Sequence, residues 1–207
     1  MAANEDERRL LHRARHGDVA ASEQLLSGYR NRLRQMAAFR IDPRLRRRLD
    51  ASDIVQDAML QASQRMDAWL ADPKIPLFLW MRLIVVETIV DAHRHHLGVQ
   101  GRDPRREEYD SHHWTPHSNI PCLAEQLAGS ITPPSEAAQR EELAGKIRHI
   151  LEELDPLDRE IIALRHGEQL GRQEAADVLG IPVETAAKRY VRAVTRLRQR
   201  MADESIG

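Results

Sequence analysis

The sequence predicts an all-α protein: two small helical domains joined by a long flexible linker, with a C-terminal helix-turn-helix. Three observations carry that prediction. Apolar residues recur at three- and four-residue intervals along most of the chain, while strand-type alternation is almost absent. Aromatic residues make up 4% and charged residues 30% of the chain, which suits exposed amphipathic helices better than a thick core or a β-sandwich. The helical period also lapses once in these 207 residues, which suffice for one large or two small domains. The expected plan is a domain over residues 1–98, a linker over 99–138 and a second domain over 139–207.

Residues 6–27 place Leu10, Leu11, Ala14, Ala21, Leu25 and Leu26 at helical spacing, with an interruption at Gly17 and Asp18. A second helix is expected over residues 28–40, with Leu33, Met36 and Ala37 on one face. Pro43 and the cluster Arg44, Arg46, Arg47 and Arg48 follow; an exposed basic turn and a contact with DNA or a partner both accommodate it. Asp50 or Ser52 can cap the next helix, because either side chain can accept from an amide left unpaired in the first turn. That helix carries Ile54, Val55, Ala58, Ala62, Met66 and Trp69, and Pro73 and Pro76 end it. The helix expected at 77–96 is unusually apolar, with Phe78, Leu79, Trp80, Met81, Leu83, Ile84, Val85 and Val86 in close succession. Gly98 is its stop signal.

From residue 99 the period is lost among Pro104, Pro116, Pro121, Pro133 and Pro134, so a linker is expected, with a short helix near residues 123–127. The pattern resumes with Leu143, Ile147, Ile150, Leu151 and Leu154. Asp155-Pro156 is a strong restart: Asp can cap, and Pro suits a first turn whose amides have no partner. The helix at 157–165 should bury Leu157, Ile161 and Leu164 and close at Gly167.

Residues 171–201 carry the helix-turn-helix. Ala175, Ala176 and Leu179 face inward from its first helix, and the alanines permit a close crossing. Gly180 fits a left-handed turn position, Ile181 plugs the angle, and Pro182 can begin the second helix. In that helix Ala186, Tyr190, Ala193, Leu197 and Met201 form one stripe. At about 100° per residue the opposite face presents Glu184, Thr185, Lys188, Arg192, Thr195, Arg196 and Gln199. A long basic helix behind a short helix and a glycine turn matches readers of the DNA major groove. The alternative is a solvated charged face on a helical hairpin.

Charge supports the DNA reading through its distribution. The totals nearly cancel, 31 basic residues against 32 acidic ones. Yet Lys188, Arg189, Arg192, Arg196, Arg198 and Arg200 follow one another with no acidic residue between them, whereas residues 141–177 are predominantly acidic. A local basic stripe in a neutral chain suits a directed contact with a polyanion. The single cysteine, Cys122, excludes an intramolecular disulfide. No apolar run reaches the length of a membrane span, and the N-terminus is polar, so a cytoplasmic protein without membrane contact is expected.

The segment Asp50-Ala51-Ser52-Asp53-Ile54-Val55-Gln56-Asp57-Ala58, the segment Phe78-Leu79-Trp80-Met81-Arg82-Leu83-Ile84 with Asp91-Ala92-His93-Arg94, and the C-terminal motif together resemble bacterial RNA polymerase sigma factors. The likeness is to the small two-domain, extracytoplasmic-function (ECF) type within the sigma-70 superfamily, and it spans residues 10–201. The run His93-Arg94-His95-His96-Leu97-Gly98, with Arg102, Asp103, Arg105, Arg106 and Glu107, resembles a subgroup abundant in planctomycetes.

The resemblance implies a protein that binds core RNA polymerase, at the clamp region of its largest subunits, and directs promoter-specific initiation with no reaction of its own. Asp53, Gln56 and Asp57 would dock on the polymerase. Trp80, Glu87, Asp91, His93 and Arg94 would read and help melt the minus-10 element. Glu184, Thr185, Lys188, Arg189, Arg192 and Arg196 would read the minus-35 element. It further implies promoter DNA as a partner, an anti-sigma protein as another, a free monomer and no cofactor. Glu87 departs from the family, which more often has Asn there; a carboxylate repels phosphate and can accept from a cytosine amino group.

Simpler explanations stand beside several of these roles. Asp53 and Asp57 also compensate a helix dipole, and Trp80 equally suits the core. His112, His113 and His117 with Cys122 match no zinc-ligand spacing, so no metal site is expected. Two other functions compete. A helix-turn-helix repressor or response-regulator output domain, dimeric on palindromic sites, would explain the C-terminal third alone. A metal-dependent enzyme lacks a nucleophile constellation, a phosphate loop and a ligand motif.

Overall fold

Hydrophobic spacing resolves into two packed units, Met1–Glu108 and Tyr109–Gly207. The computed structural model describes residues 5–42, 48–97, 120–131 and 137–204. Every element among the described residues is helical. Arg44, Arg46, Arg47, Gly98, His112, His113 and His117 lie outside them.

The first unit contains α1 (Glu5–Arg15), α2 (Val19–Arg40), α3 (Ala51–Ala71) and α4 (Leu77–Leu97). The break at Gly17 and Asp18 falls where expected. Gly17 takes φ +84°, and Asp18 caps α2 by accepting from the Ala21 amide at 3.1 Å. That amide and the Arg13 guanidinium hold the Asp18 carboxyl below its usual range. The restart expected at residue 28 does not occur, because α2 runs through Gly28 to Arg40. A helical glycine costs about 1 kcal/mol, and burial of Leu25, Leu26, Leu33, Met36 and Ala37 along the same helix outweighs that cost.

Asp50 caps α3, accepting from the Ser52 amide at 2.7 Å. Ile54, Val55, Ala58, Ala62, Met66 and Trp69 are buried along it, as their spacing predicts. Helix α4 lies against α2 and α3 and buries Leu77, Phe78, Leu79, Met81, Ile84, Val85 and Ile89. Three rungs tie α3 to α4. The Gln61 amide donates to Thr88 Oγ1 at 3.2 Å, Arg65 pairs with Glu87 at 3.5 Å, and Trp69 stacks on Trp80 with ring centroids 5.7 Å apart.

The second unit begins earlier than expected. Helix α5 (Ile120–Ile131) occupies the later part of the stretch read as linker and packs on α6 (Ala137–Glu153). It buries Leu123, Ala124, Leu127 and Ala128. The prolines frame this helix instead of breaking it. Pro121 is its second residue, where a missing amide proton is harmless, and Pro133 and Pro134 follow its end.

Helix α7 (Pro156–Ile162) starts at the Asp155 cap and passes into a π-helical turn, Ala163–Gly167, so the regular helix expected over 157–165 is shorter. The wider turn lets four successive residues, Ile161, Ile162, Ala163 and Leu164, all enter the core, which one face of an α-helix cannot do. Helices α8 (Arg172–Leu179) and α9 (Val183–Glu204) complete the unit.

Candidate nucleic-acid interface

The turn between α8 and α9 follows from a few residues. Ala175 and Ala176 are fully buried, which lets the two helices approach closely. Glu174 accepts from the Gly171 amide at 2.7 Å, one half of a capping box, since glycine has no side chain to return the bond. Gly180 takes φ +63°, the left-handed conformation that its position requires. The amide of Ile181 then donates to the Ala176 carbonyl at 3.2 Å and closes the turn. Ile181 is half-buried as the plug, and α9 begins just after Pro182.

Helix α9 is sharply two-sided. Ala186, Ala193 and Leu197 are buried, and Tyr190 and Met201 are half-buried beside them. Glu184, Thr185, Lys188, Arg192, Thr195, Arg196 and Gln199 are all exposed on the other side. Arg189 does not join them. Its guanidinium lies 2.7 Å from Asp158 and 3.6 Å from Asp155, because its place on the helix is the flank between the buried stripe and the exposed face. Proximity in sequence to Lys188 concealed that difference. Sequence reasoning also missed Val191, which is 62% exposed in the middle of the basic face.

The start of α9 is braced from the other side. His166, in the π-helical turn, shares a 2.9 Å hydrogen bond with the Tyr190 hydroxyl and stacks against its ring. Arg165 approaches the same ring at 5.6 Å and donates to the Leu170 carbonyl. Burial, and then the neighbouring Arg165 charge, push the His166 imidazole below its ordinary pKa.

In the first unit Asp53, Gln56 and Asp57 are exposed on the first turns of α3, away from Ile54, Val55 and Ala58. Leu60, 61% exposed, continues their stripe one turn later. The Ser52 amide and hydroxyl hold the Asp50 cap below the usual carboxylate range. On α4 the spacing of Trp80, Glu87, Asp91 and Arg94 sets them on one side, with Leu83, 46% exposed, among them. His93 lies on a different side, with its Nε2 3.9 Å from Asp42. Trp80 is half-buried, one face against Trp69, whose indole N–H donates to the Ile75 carbonyl at 3.2 Å.

Among the described residues no group of three His, Cys, Asp or Glu side chains is arranged to hold a metal ion. No described helix is long and apolar enough to cross a membrane.

Known proteins are similar to this chain over most of its length. The chain is 25% identical over 200 residues to the RNA polymerase sigma-H factor of Pseudomonas aeruginosa, covering 93% of this chain and 92% of that one. It is 26% identical over 184 residues to the ECF RNA polymerase sigma-E factor of Escherichia coli K12, covering 89% and 88%. The fold is shared with CnrH, solved in complex with the cytosolic domain of CnrY; the TM-score is 0.52 at 22% identity, covering 96% of this chain and 99% of that one. The family model for ECF sigma factors matches residues 4–203. With both helical units and the connecting segment inside that match, the chain belongs to the ECF sigma factor family, whose members act in transcription initiation.

Proposed function

We propose that this chain binds core RNA polymerase and directs it to promoters by reading two DNA elements. The one-sided basic face of α9, displayed beyond a glycine turn, is the observation that carries the reading. Glu184, Thr185 and Lys188, near the start of α9, suit contact with base edges of the minus-35 element, and Arg192 and Arg196 suit its phosphates. Arg189 acts from inside the protein, as its pairing with Asp158 favours.

The exposed stripe Asp53, Gln56 and Asp57, with Leu60 as an apolar centre, suits a basic partner helix on the polymerase clamp. On α4, Trp80 offers the edge of an aromatic platform to an unpaired base. Glu87, Asp91 and Arg94 beside it offer acceptors and a donor for the minus-10 element. His93 contributes less directly, since it faces Asp42. The reading requires no cofactor, and it places the protein in the cytoplasm with the polymerase. A protein that holds the free chain, an anti-sigma protein, belongs to the same reading; CnrH, which shares the fold, was solved with the cytosolic domain of a second protein.

Reconstitution tests the proposal. Tagged chain should retain core polymerase and support run-off transcription from promoters mapped after its overexpression. Failure of both would overturn the reading. A stable free dimer on palindromic duplex DNA would favour the repressor alternative.

A further inference from the structure

We propose that Glu153, Asp155 and Asp158 form an acidic rail along one flank of α9 that withholds arginines from DNA and so limits how many phosphates the second unit engages. The inference rests on the reading that α9 faces DNA. The rail follows the corner where α6 ends and α7 begins, and each member touches an arginine of α9. Arg200 lies 3.0 Å from Glu153. Arg189 lies 2.7 Å from Asp158 and 3.6 Å from Asp155. Arg192 reaches to 4.0 Å of Asp158 while remaining largely in solvent. Lys188, Arg196 and Arg198 have no acidic partner among the described residues. The basic run therefore divides into a free set, a withheld set and one shared residue, Arg192.

Two properties make the rail more than a set of surface pairs. Asp158 is only 6% exposed, and a buried carboxylate without a partner is costly, so Arg189 is held firmly. Asp155 is already fixed by its capping bond to the Leu157 amide at 2.9 Å, so it cannot swing away from the arginine. The consequence for binding is quantitative. Each phosphate neutralised contributes about 0.9 to the slope of log affinity against log salt, without regard to sequence. Withholding Arg189 and Arg200 lowers attraction to any duplex while leaving the outward face to select among them. Asp158 is thus a positioning residue that acts through Arg189.

Salt titrations of the full chain on a random-sequence duplex of about two helical turns test this, read by fluorescence anisotropy between roughly 0.05 and 0.2 M salt. Asp158→Asn should bind this duplex more tightly, by up to roughly tenfold near 0.1 M, with a slope steeper by about one. Asp158→Glu should keep the wild-type slope. Arg189→Gln should not flatten the slope, and adding it to Asp158→Asn should remove the steepening. Glu153→Gln, at a more exposed site, should steepen the slope in the same sense through Arg200, which keeps the test decisive if Asp158→Asn misfolds. A purely structural role for Asp158 predicts weaker binding at an unchanged slope; that result, or a slope flattened by Arg189→Gln, overturns the proposal. If wild-type chain shows no salt-dependent binding to duplex, the DNA reading of α9 falls as well. If it binds and the variants leave the slope alone, only the rail falls.

Discussion

Helices α4 and α9 are nearly equal in length, 21 and 22 residues, and both carry candidate DNA contacts, yet they expose them in opposite ways. Helix α4 is packed against α2 and α3 over much of its circumference, and its candidates are the half-buried Trp80 and the polar side chains left over after packing. Helix α9 rests on one buried stripe, with Arg189 held on its flank, and leaves the opposite face to solvent. A lightly packed helix reveals its partner through its own composition, whereas a core helix reveals one only through the neighbours that decide which side chains stay outside.

The largest effects should come from separating the two surfaces. Lys188→Ala with Arg192→Ala should lower promoter affinity by about two orders of magnitude, at ~1–3 kcal/mol per base or charged contact, and leave retention of core polymerase unchanged. Asp53→Ala with Asp57→Ala should do the reverse, read by competitive pull-down against wild-type chain. Equal loss of both activities in both variants would mean that α3 and α9 do not divide the work.

Next come effects on folding. Trp69→Ala should cost about 3 kcal/mol in the first unit, because the indole is buried, stacks on Trp80 and donates to the Ile75 carbonyl. Trp80→Ala should cost less, since that ring is only half-buried. Equal costs measured by denaturant unfolding would make Trp80 a core residue with little to offer DNA. In the second unit Gly180→Ala should cost about 1–2 kcal/mol, because the left-handed conformation brings a Cβ close to the following carbonyl oxygen. Nothing beyond the adjoining residues lies within 4 Å of the added methyl, so the cost would be backbone strain alone.

The smallest effect concerns pH. Folding depresses the pKa of His166, so below the ordinary imidazole value of about 6.5 the unfolded chain takes up a proton that the folded chain does not. Stability from this site is fully present above that value and declines as pH falls towards the depressed pKa, then levels off. The change should be modest, because the residue remains partly in solvent. His166→Gln should flatten it in thermal melts of the second unit. An unaltered pH profile would show that the burial of His166 and its Arg165 neighbour do not set the pH dependence of the second unit.

What could be read from sequence alone followed the locality of the signal. Asp50 and Asp155 as caps, Gly180 at a left-handed turn and the buried stripe of α9 depend on neighbours within one or two turns, and each stands as expected. The short helix expected near residues 123–127 is present, but the full length of α5 and its packing on α6 were hidden, because prolines mark a boundary without saying on which side the helix lies. Continuity through Gly28 depends on burial against other helices, which propensity ignores. The pairing of Arg189 with Asp158 was not legible because the two lie 31 residues apart. The same long-range packing concealed the exposure of Leu60 and Val191.

The stacked pair Trp69 and Trp80 has an optical consequence. The chain holds three tryptophans, and two of them lie with ring planes 28° apart at 5.7 Å, close enough for their excited states to couple. That coupling belongs to the α3–α4 junction, where one indole faces the core and the other borders the exposed side of α4. Near-ultraviolet circular dichroism of the unmodified protein therefore carries a built-in signal for that junction. It will follow any event that slides or parts those two rings, with no label attached.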